Sequence, residues 1–136
     1  MKLLRTIPAF PVHRIDDAAK FYETKLGFTC LHKDNAFAIL IRDTAEIHLW
    51  VSDDNSWKWR RLFFLMKPIR SGAESFLAGT HSCRIEVEDI EKLYSELKQQ
   101  EVLYNSRTVI EKTDWGTREF ATLDLHHNLL TFYERA

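Results

Sequence analysis

A spacing pattern that occurs twice limits the folds open to this chain of 136 residues. Val12 and Ile15, each at a strand-to-helix boundary, are matched by Val87 and Ile90. Solenoid repeats have periods of only about 20 to 50 residues, whereas this repeat spans roughly 72 to 75. The repeat therefore predicts two duplicated modules in a single domain. They are placed at approximately 1–52 and 78–136, with a connection at 53–77.

Each module is predicted to be a strand, a helix and three further strands, written βαβββ. Apolar residues at helical spacing, including Ile15 and Tyr22 in the first module and Ile90 and Leu97 in the second, predict the two helices. The predicted strands are 4–12, 28–33, 36–42 and 45–51, then 82–87, 109–113, 118–123 and 129–134. The fold class is α+β, with a curved, mostly antiparallel sheet and helices on its outer face.

Composition excludes several functional classes. No apolar run approaches the roughly 20 residues that a membrane helix needs. The apolar stretch at residues 1–5 is too short for a secretory signal, because a charged residue interrupts it. We therefore expect a cytoplasmic protein with no membrane partner. The formal net charge of −1 gives no electrostatic footprint for nucleic acid. Cys30 and Cys83 lie in predicted strands without metal-type spacing and are interpreted as buried free thiols.

Alternation along the strands predicts which side chains face away from the helices. In 45–51, Ile47, Leu49 and Val51 are expected against a helix. Glu46, His48 and Trp50 are then expected on the opposite, open face. The same rule assigns further open-face residues, namely Ser82, Arg84, Glu86, Glu119, Ala121, Thr131 and Tyr133. Because these side chains converge from several strands, they predict a polar cup with aromatic walls, suited to a small-molecule ligand.

Aromatic and cationic residues outside the strand centres complete this predicted cup. Trp115 precedes the strand that contains Arg118, and Trp57 lies in the connection, within a stretch that alternates Trp with Lys and Arg. Indole rings stack on planar ligands and attract cations. We expect Trp50, Trp57 and Trp115 to reach the ligand, with Arg84 and Arg118 near the same cup.

The chain resembles the glyoxalase, bleomycin resistance and extradiol dioxygenase superfamily, also called the vicinal oxygen chelate fold. The residues that carry the resemblance are 15–28, with Leu26-Gly27-Phe28, together with 46–50, 87–94 and 115–132. Within the superfamily, Trp115-Gly116-x-Arg118-Glu119-Phe120, with Asp124, Asn128 and Phe132 at their spacing, is most similar to the bleomycin resistance proteins. The resemblance implies paired βαβββ modules and a homodimer whose cavities receive contributions from both chains.

Whether this chain is expected to be a metal-dependent enzyme depends on the residues at the positions where the superfamily's enzymes bind their metal. Aligned by the resemblance, they fall on Ile7, Ser82 and Thr131, and only Glu46 or His48 on the inner strand keeps a ligand-type side chain. An aliphatic side chain cannot ligate, and a hydroxyl is a poor substitute for imidazole or carboxylate. We therefore predict no catalytic residue, no metal and no other cofactor at the usual place.

The leading hypothesis is a non-catalytic binding protein that sequesters a planar, cationic glycopeptide such as bleomycin. Under this hypothesis, tryptophans stack on the planar part of the ligand, and the carboxylates of Glu46, Glu86 and Glu119 bind its cationic tail. Against it, bleomycin binders are markedly acidic and this chain is nearly neutral, so a ligand with an anionic group fits Arg84 and Arg118 as well. The alternatives are a divalent-metal-dependent lyase, isomerase or dioxygenase using Glu46, His48 and His81, and a housekeeping binder of another ligand.

Overall fold

The computed structural model describes residues 1–52 and 76–136. The first module comprises β1 (Ala9–Val12), α1 (Ile15–Lys25), β2 (Thr29–Lys33), β3 (Phe37–Arg42) and β4 (Ala45–Val51). The second comprises β5 (Ser82–Glu86), α2 (Ile90–Gln99), β6 (Glu111–Lys112), β7 (Thr117–Leu123) and β8 (Leu129–Arg135). In the part of the chain that is described, neither helix is long and apolar enough to cross a membrane.

The two modules repeat one strand order. The first sheet has the order β1-β4-β3-β2, and the second has β5-β8-β7-β6. In each, the strand before the helix pairs in parallel with the last strand, and the other neighbours are antiparallel. α1 packs on β2, β3 and β4, while α2 packs on β7 and β8, so each sheet has one face covered by a helix. The predicted α+β fold of paired βαβββ modules is confirmed, as two four-stranded sheets.

Local signals explain where the helices begin and end. α2 begins after Asp89, whose carboxylate accepts a hydrogen bond from the Lys92 amide at 3.3 Å. α1 ends before Gly27, which has a φ of +75°, a left-handed conformation that glycine adopts without strain. A Cβ atom at position 27 would also lie 2.6 Å from the Arg42 guanidinium. Glycine therefore leaves room for Arg42, which donates to the Leu26 carbonyl and to Glu96 of α2, each at 2.7 Å.

Buried polar groups join the modules at a second place. Tyr22 of α1 is fully buried, and its hydroxyl donates to the Asp124 carboxylate of the β7–β8 turn at 2.9 Å. Asn128, in the same turn, is also fully buried, and its amide donates to the Pro11 carbonyl at 2.7 Å. Buried side chains need such partners. Around these bonds, apolar residues of both modules form one core cluster.

Three expectations differ in detail from the structure. The first strand begins at Ala9 and not at position 4, and its pairing stops near Pro8, whose ring nitrogen has no hydrogen to donate. β6 covers only Glu111–Lys112, because the chain before it is instead held by the Tyr94 hydroxyl, which donates to the Thr108 carbonyl at 2.9 Å. Val51, expected against the helices, is 43% exposed at the end of β4.

Candidate functional site

The open face of the first sheet carries the predicted triplet of β4. Ile47 and Leu49 are buried, with 1% and 0% exposure, which confirms the predicted alternation. Glu46 and His48 are half-buried and Trp50 is 44% exposed, all on the opposite face. Three adjacent side chains of one strand thus present a carboxylate, an imidazole and an indole to the same surface.

Phe37 adds an aromatic wall that the sequence analysis missed. Its ring lies 4.3 Å from the Trp50 ring and 5.1 Å from the His48 ring, measured between centroids. The cause is register, since Phe37 of β3 stands directly opposite Trp50 of β4. The β3–β4 hairpin, with Asp43 and Thr44 between its strands, was the signal that could have identified this pair.

Glu46 and His48 form a polar pair beside this wall. The nearest carboxylate oxygen of Glu46 lies 3.7 Å from Nε2 of His48, which is longer than a hydrogen bond. Nε2 is buried and has no hydrogen-bond partner among the residues that the structure describes. The side chains are 18% and 24% exposed, respectively. A ligand on this face would therefore meet a carboxylate that accepts hydrogen bonds and a ring nitrogen that is open to one.

The open face of the second sheet is organised by an ion pair. Arg84 of β5 donates to Glu119 of β7 at 2.7 Å, and the Arg84 guanidinium lies 4.7 Å from the centroid of the Tyr133 ring on the intervening strand β8. This hydrogen bond lowers the pKa of the Glu119 carboxyl and raises the pKa of the Arg84 guanidinium, because it stabilises the charged form of each group. Thr117 also donates to Glu119, at 3.2 Å. Glu119 is therefore an ionised carboxylate that is already occupied.

A small cavity opens beside this ion pair, with a volume of about 340 Å³. Glu119, Ala121 and Thr131 line it from the sheet, and residues of 104–111 close it from the side. Its size falls at the lower end of the range for small-molecule pockets, roughly 300 to 1,000 Å³. Tyr104 in this segment is 54% exposed, and sequence patterns gave no signal that it borders the open face. The cavity supports the predicted open-face assignment of these three strand residues.

Two of the predicted ligand-binding residues, Arg118 and Glu86, already have charged partners. Arg118 was expected near the cup, but it lies on the other side of β7, where it donates to Glu91 of α2 and to Glu134 of β8. The expectation for Arg118 is wrong, because it alternates with Glu119 along the strand. Glu86 keeps its predicted side but is paired with Arg135 at 2.8 Å.

Two of the three tryptophans expected to reach a ligand lie in the described part of the chain. Trp115 lies in the turn between β6 and β7 and is 69% exposed. Trp50 packs against Phe37, as described above. Trp57 lies outside the described residues. Trp50 therefore presents its indole on the first open face, and Trp115 presents its indole to solvent in the turn that leads into β7.

A larger groove lies between the modules, on the helix side of the sheets. Its volume is about 990 Å³, with Phe28, Ile85 and Phe132 in its lining and charged residues around them. Of the predicted ligand-binding residues in the described part of the chain, its lining includes only Glu86, at the end of β5. Size alone would favour this groove as the site, but the convergence of polar and aromatic side chains favours the open faces.

In the described residues, neither the cysteines nor the candidate metal positions belong to a group of side chains that could hold a metal ion. Within 1–52 and 76–136, no three His, Cys, Asp or Glu side chains are arranged to hold an ion. His81 precedes β5, where its ring contacts the Phe76 ring at 5.0 Å, and burial lowers its pKa. Cys30 and Cys83 are free and half-buried. Burial raises the pKa of Cys83 to about 12, so its thiol is neutral and a poor nucleophile.

The two βαβββ modules, each with one face free, define a paired-module protein of the α+β class. A family model described as Glyoxalase/Bleomycin resistance protein/Dioxygenase superfamily matches residues 7–132. The chain belongs to this superfamily, which confirms the resemblance that its motifs indicated.

Individual relatives refine the comparison. The chain is 41% identical over 133 residues to a bleomycin resistance protein of Geobacillus stearothermophilus, covering 98% of each chain. It is similar in structure to a bleomycin-binding protein complexed with bleomycin, with a TM-score of 0.70 and 22% identity over 98% of this chain and 100% of the other. For the Streptomyces verticillus bleomycin-binding protein complexed with copper(II)-bleomycin, the TM-score is 0.72, with 22% identity over 97% and 96% of the two chains. These two structural similarities support the fold.

Proposed function

We propose that this protein binds bleomycin or a closely similar glycopeptide and sequesters it without chemical change. The observation that carries the proposal is the 41% identity, over 98% of both chains, to a bleomycin resistance protein. The open faces support it with aromatic surface at Trp50, Phe37 and Trp115 for a planar group. Ile7, Ser82 and Thr131 at the superfamily's metal positions argue against a metal-dependent reaction.

The ligand-binding residues in this proposal are those of the two open faces. Glu46, His48 and Trp50 serve from the first module, and Arg84, Glu119 and Trp115 serve from the second. Aromatic rings stack on the planar part of the ligand, and the ion pair of Arg84 with Glu119 presents a fixed charge pattern to its polar part. Arg118 is removed from this set because it faces α2.

We infer further that the protein is a homodimer, as its resemblance to the superfamily implies. The first residues support this inference, since Leu3 and Leu4 are 93% and 83% exposed and Ile7 is 39% exposed. Neighbouring exposed aliphatic side chains of this kind are typical of an interface. Sedimentation of the purified protein should give the mass of two chains, and a Leu3→Glu, Leu4→Glu double variant should shift it toward one. A wild-type protein that sediments as a single chain would contradict the inference.

Tryptophan fluorescence tests the proposed function. Because Trp50 and Trp115 are exposed next to the open faces, a planar ligand that stacks on either should quench their emission. Titration with bleomycin should therefore give a saturable decrease, whereas an unrelated cationic peptide should give none. A flat titration to high micromolar bleomycin would overturn the proposal.

A further inference from the structure

The glutamates of the open faces are not equivalent. Arg84 holds Glu119 at 2.7 Å, and Arg135 holds Glu86 at 2.8 Å. Glu46 differs, because no lysine or arginine within the described ranges lies at ion-pair distance from it; its nearest charged-type neighbour is His48, at 3.7 Å. Of the three carboxylates, Glu46 is therefore the one without a lysine or arginine partner among the described residues.

The surroundings of Glu46 are suited to a cationic group. Its side chain is only 18% exposed, so little water solvates the carboxylate. Beside it, the Phe37 ring contacts both the His48 ring and the Trp50 ring, and aromatic faces attract cations. A protonated amine placed here would meet a carboxylate and ring faces, and it would not need to displace an arginine.

The ring of His48 supplies a second polar contact. Its Nε2 atom is buried without a hydrogen-bond partner in 1–52 and 76–136, and it lies on the same open face as Glu46. With the proton on Nδ1, Nε2 accepts a hydrogen bond from the same N–H group that approaches the carboxylate. Buried polar atoms are rarely left without partners, so this nitrogen is open to a hydrogen bond from a ligand that enters the face.

We propose that Glu46 and His48 together form the subsite that recognises a protonated amine or amidine of the ligand, and that this pair sets the protein's preference for cationic ligands. The inference rests on the proposed function and deepens it. It also accounts for a nearly neutral chain that binds a cationic ligand, since one uncompensated carboxylate in a partly desolvated place does what a generally acidic surface would do less specifically.

Two forms of the probe test this assignment. Bleomycin with its cationic tail and bleomycin from which the tail has been cleaved are each titrated into the wild-type protein, Glu46→Gln and the control Glu23→Gln. Glu23 is exposed on α1, so this control removes the same charge from another surface. Wild type and Glu23→Gln should prefer the intact form by about 10- to 100-fold, the range for one hydrogen bond to a charged group. In Glu46→Gln the two forms should bind within about threefold of each other.

The outcomes separate this inference from the function on which it rests. If Glu46→Gln keeps the wild-type preference, or if the wild type binds both forms equally, the assignment to Glu46 and His48 is overturned while the protein remains a bleomycin binder. If the wild type binds neither form, the proposed function fails and the subsite with it. A measurement on the wild type alone guards against misfolding of the variant. At saturation with intact bleomycin, the Nε2 resonance of His48 should move, and an unmoved resonance would overturn the assignment.

Discussion

Removing the Tyr22 hydroxyl tests how the two modules are joined. The fully buried hydroxyl donates to Asp124 at 2.9 Å, and this bond connects α1 to the β7–β8 turn. The Asp124 carboxylate is itself 4% exposed and accepts further bonds from the His126 and Asn128 amides, each at 2.9 Å. Tyr22→Phe removes one oxygen atom and keeps the ring, so it changes the bond without opening a large cavity.

The expected magnitude follows from the charge of the acceptor. A hydrogen bond to a charged group contributes about 1.5 to 3 kcal/mol. For a domain of this size, between the 60–100 and 150–250 residue classes, each kcal/mol corresponds to roughly 3 to 5 °C in Tm. Tyr22→Phe should therefore lower Tm by about 5 to 15 °C. Since the modules share one core, both should still unfold in a single transition.

Differential scanning calorimetry measures this effect, and Tyr104→Phe is the matched control. Tyr104 is 54% exposed, so loss of its hydroxyl should change the free energy of unfolding by less than about 0.5 kcal/mol. A Tyr22→Phe variant as stable as this control would show that the hydroxyl does not hold Asp124. Two separate transitions would show that the modules do not unfold together.

Three further predictions follow from the site and core. The folded pKa of Cys83, about 12, exceeds its ordinary value of 9.0, so the stability from its neutral thiol is complete below pH 9 and is lost toward pH 12; Cys83→Ala should flatten that part of a denaturant-based stability curve. Trp115→Ala should weaken bleomycin binding by about 2- to 30-fold in calorimetric titrations without lowering Tm, because the ring is 69% exposed. Metal analysis after dialysis against zinc, nickel, iron or manganese should find only substoichiometric ion, given Ile7, Ser82 and Thr131.

Strand alternation made much of the fold and part of the site predictable. A period of two puts Ile47 and Leu49 on one face and Glu46 and His48 on the other wherever the strand lies. The same reasoning correctly separated Phe120, at 3% exposure, from Glu119. The face on which a strand residue lies could therefore be predicted from the sequence, because it depends only on local periodicity.

Contacts between elements were not predictable in this way. The pairing of Arg84 with Glu119 depends on β8 lying between β5 and β7, and the bond from Arg118 to Glu91 depends on how α2 lies across the sheet. One-dimensional patterns contain neither the register nor the helix rotation. As a result, the sequence predicted open-face positions for Glu46, Glu86 and Glu119, but it did not show that Glu86 and Glu119 are paired with arginines.

Calorimetric titration with bleomycin, followed by mass spectrometry of the recovered ligand, tests most directly the claim that this chain captures its ligand and does not transform it. We expect saturable binding at micromolar concentration or below, in the absence of added metal, with the ligand recovered unchanged. Heats that stay flat to high micromolar concentration, or a recovered ligand of altered mass, would contradict it.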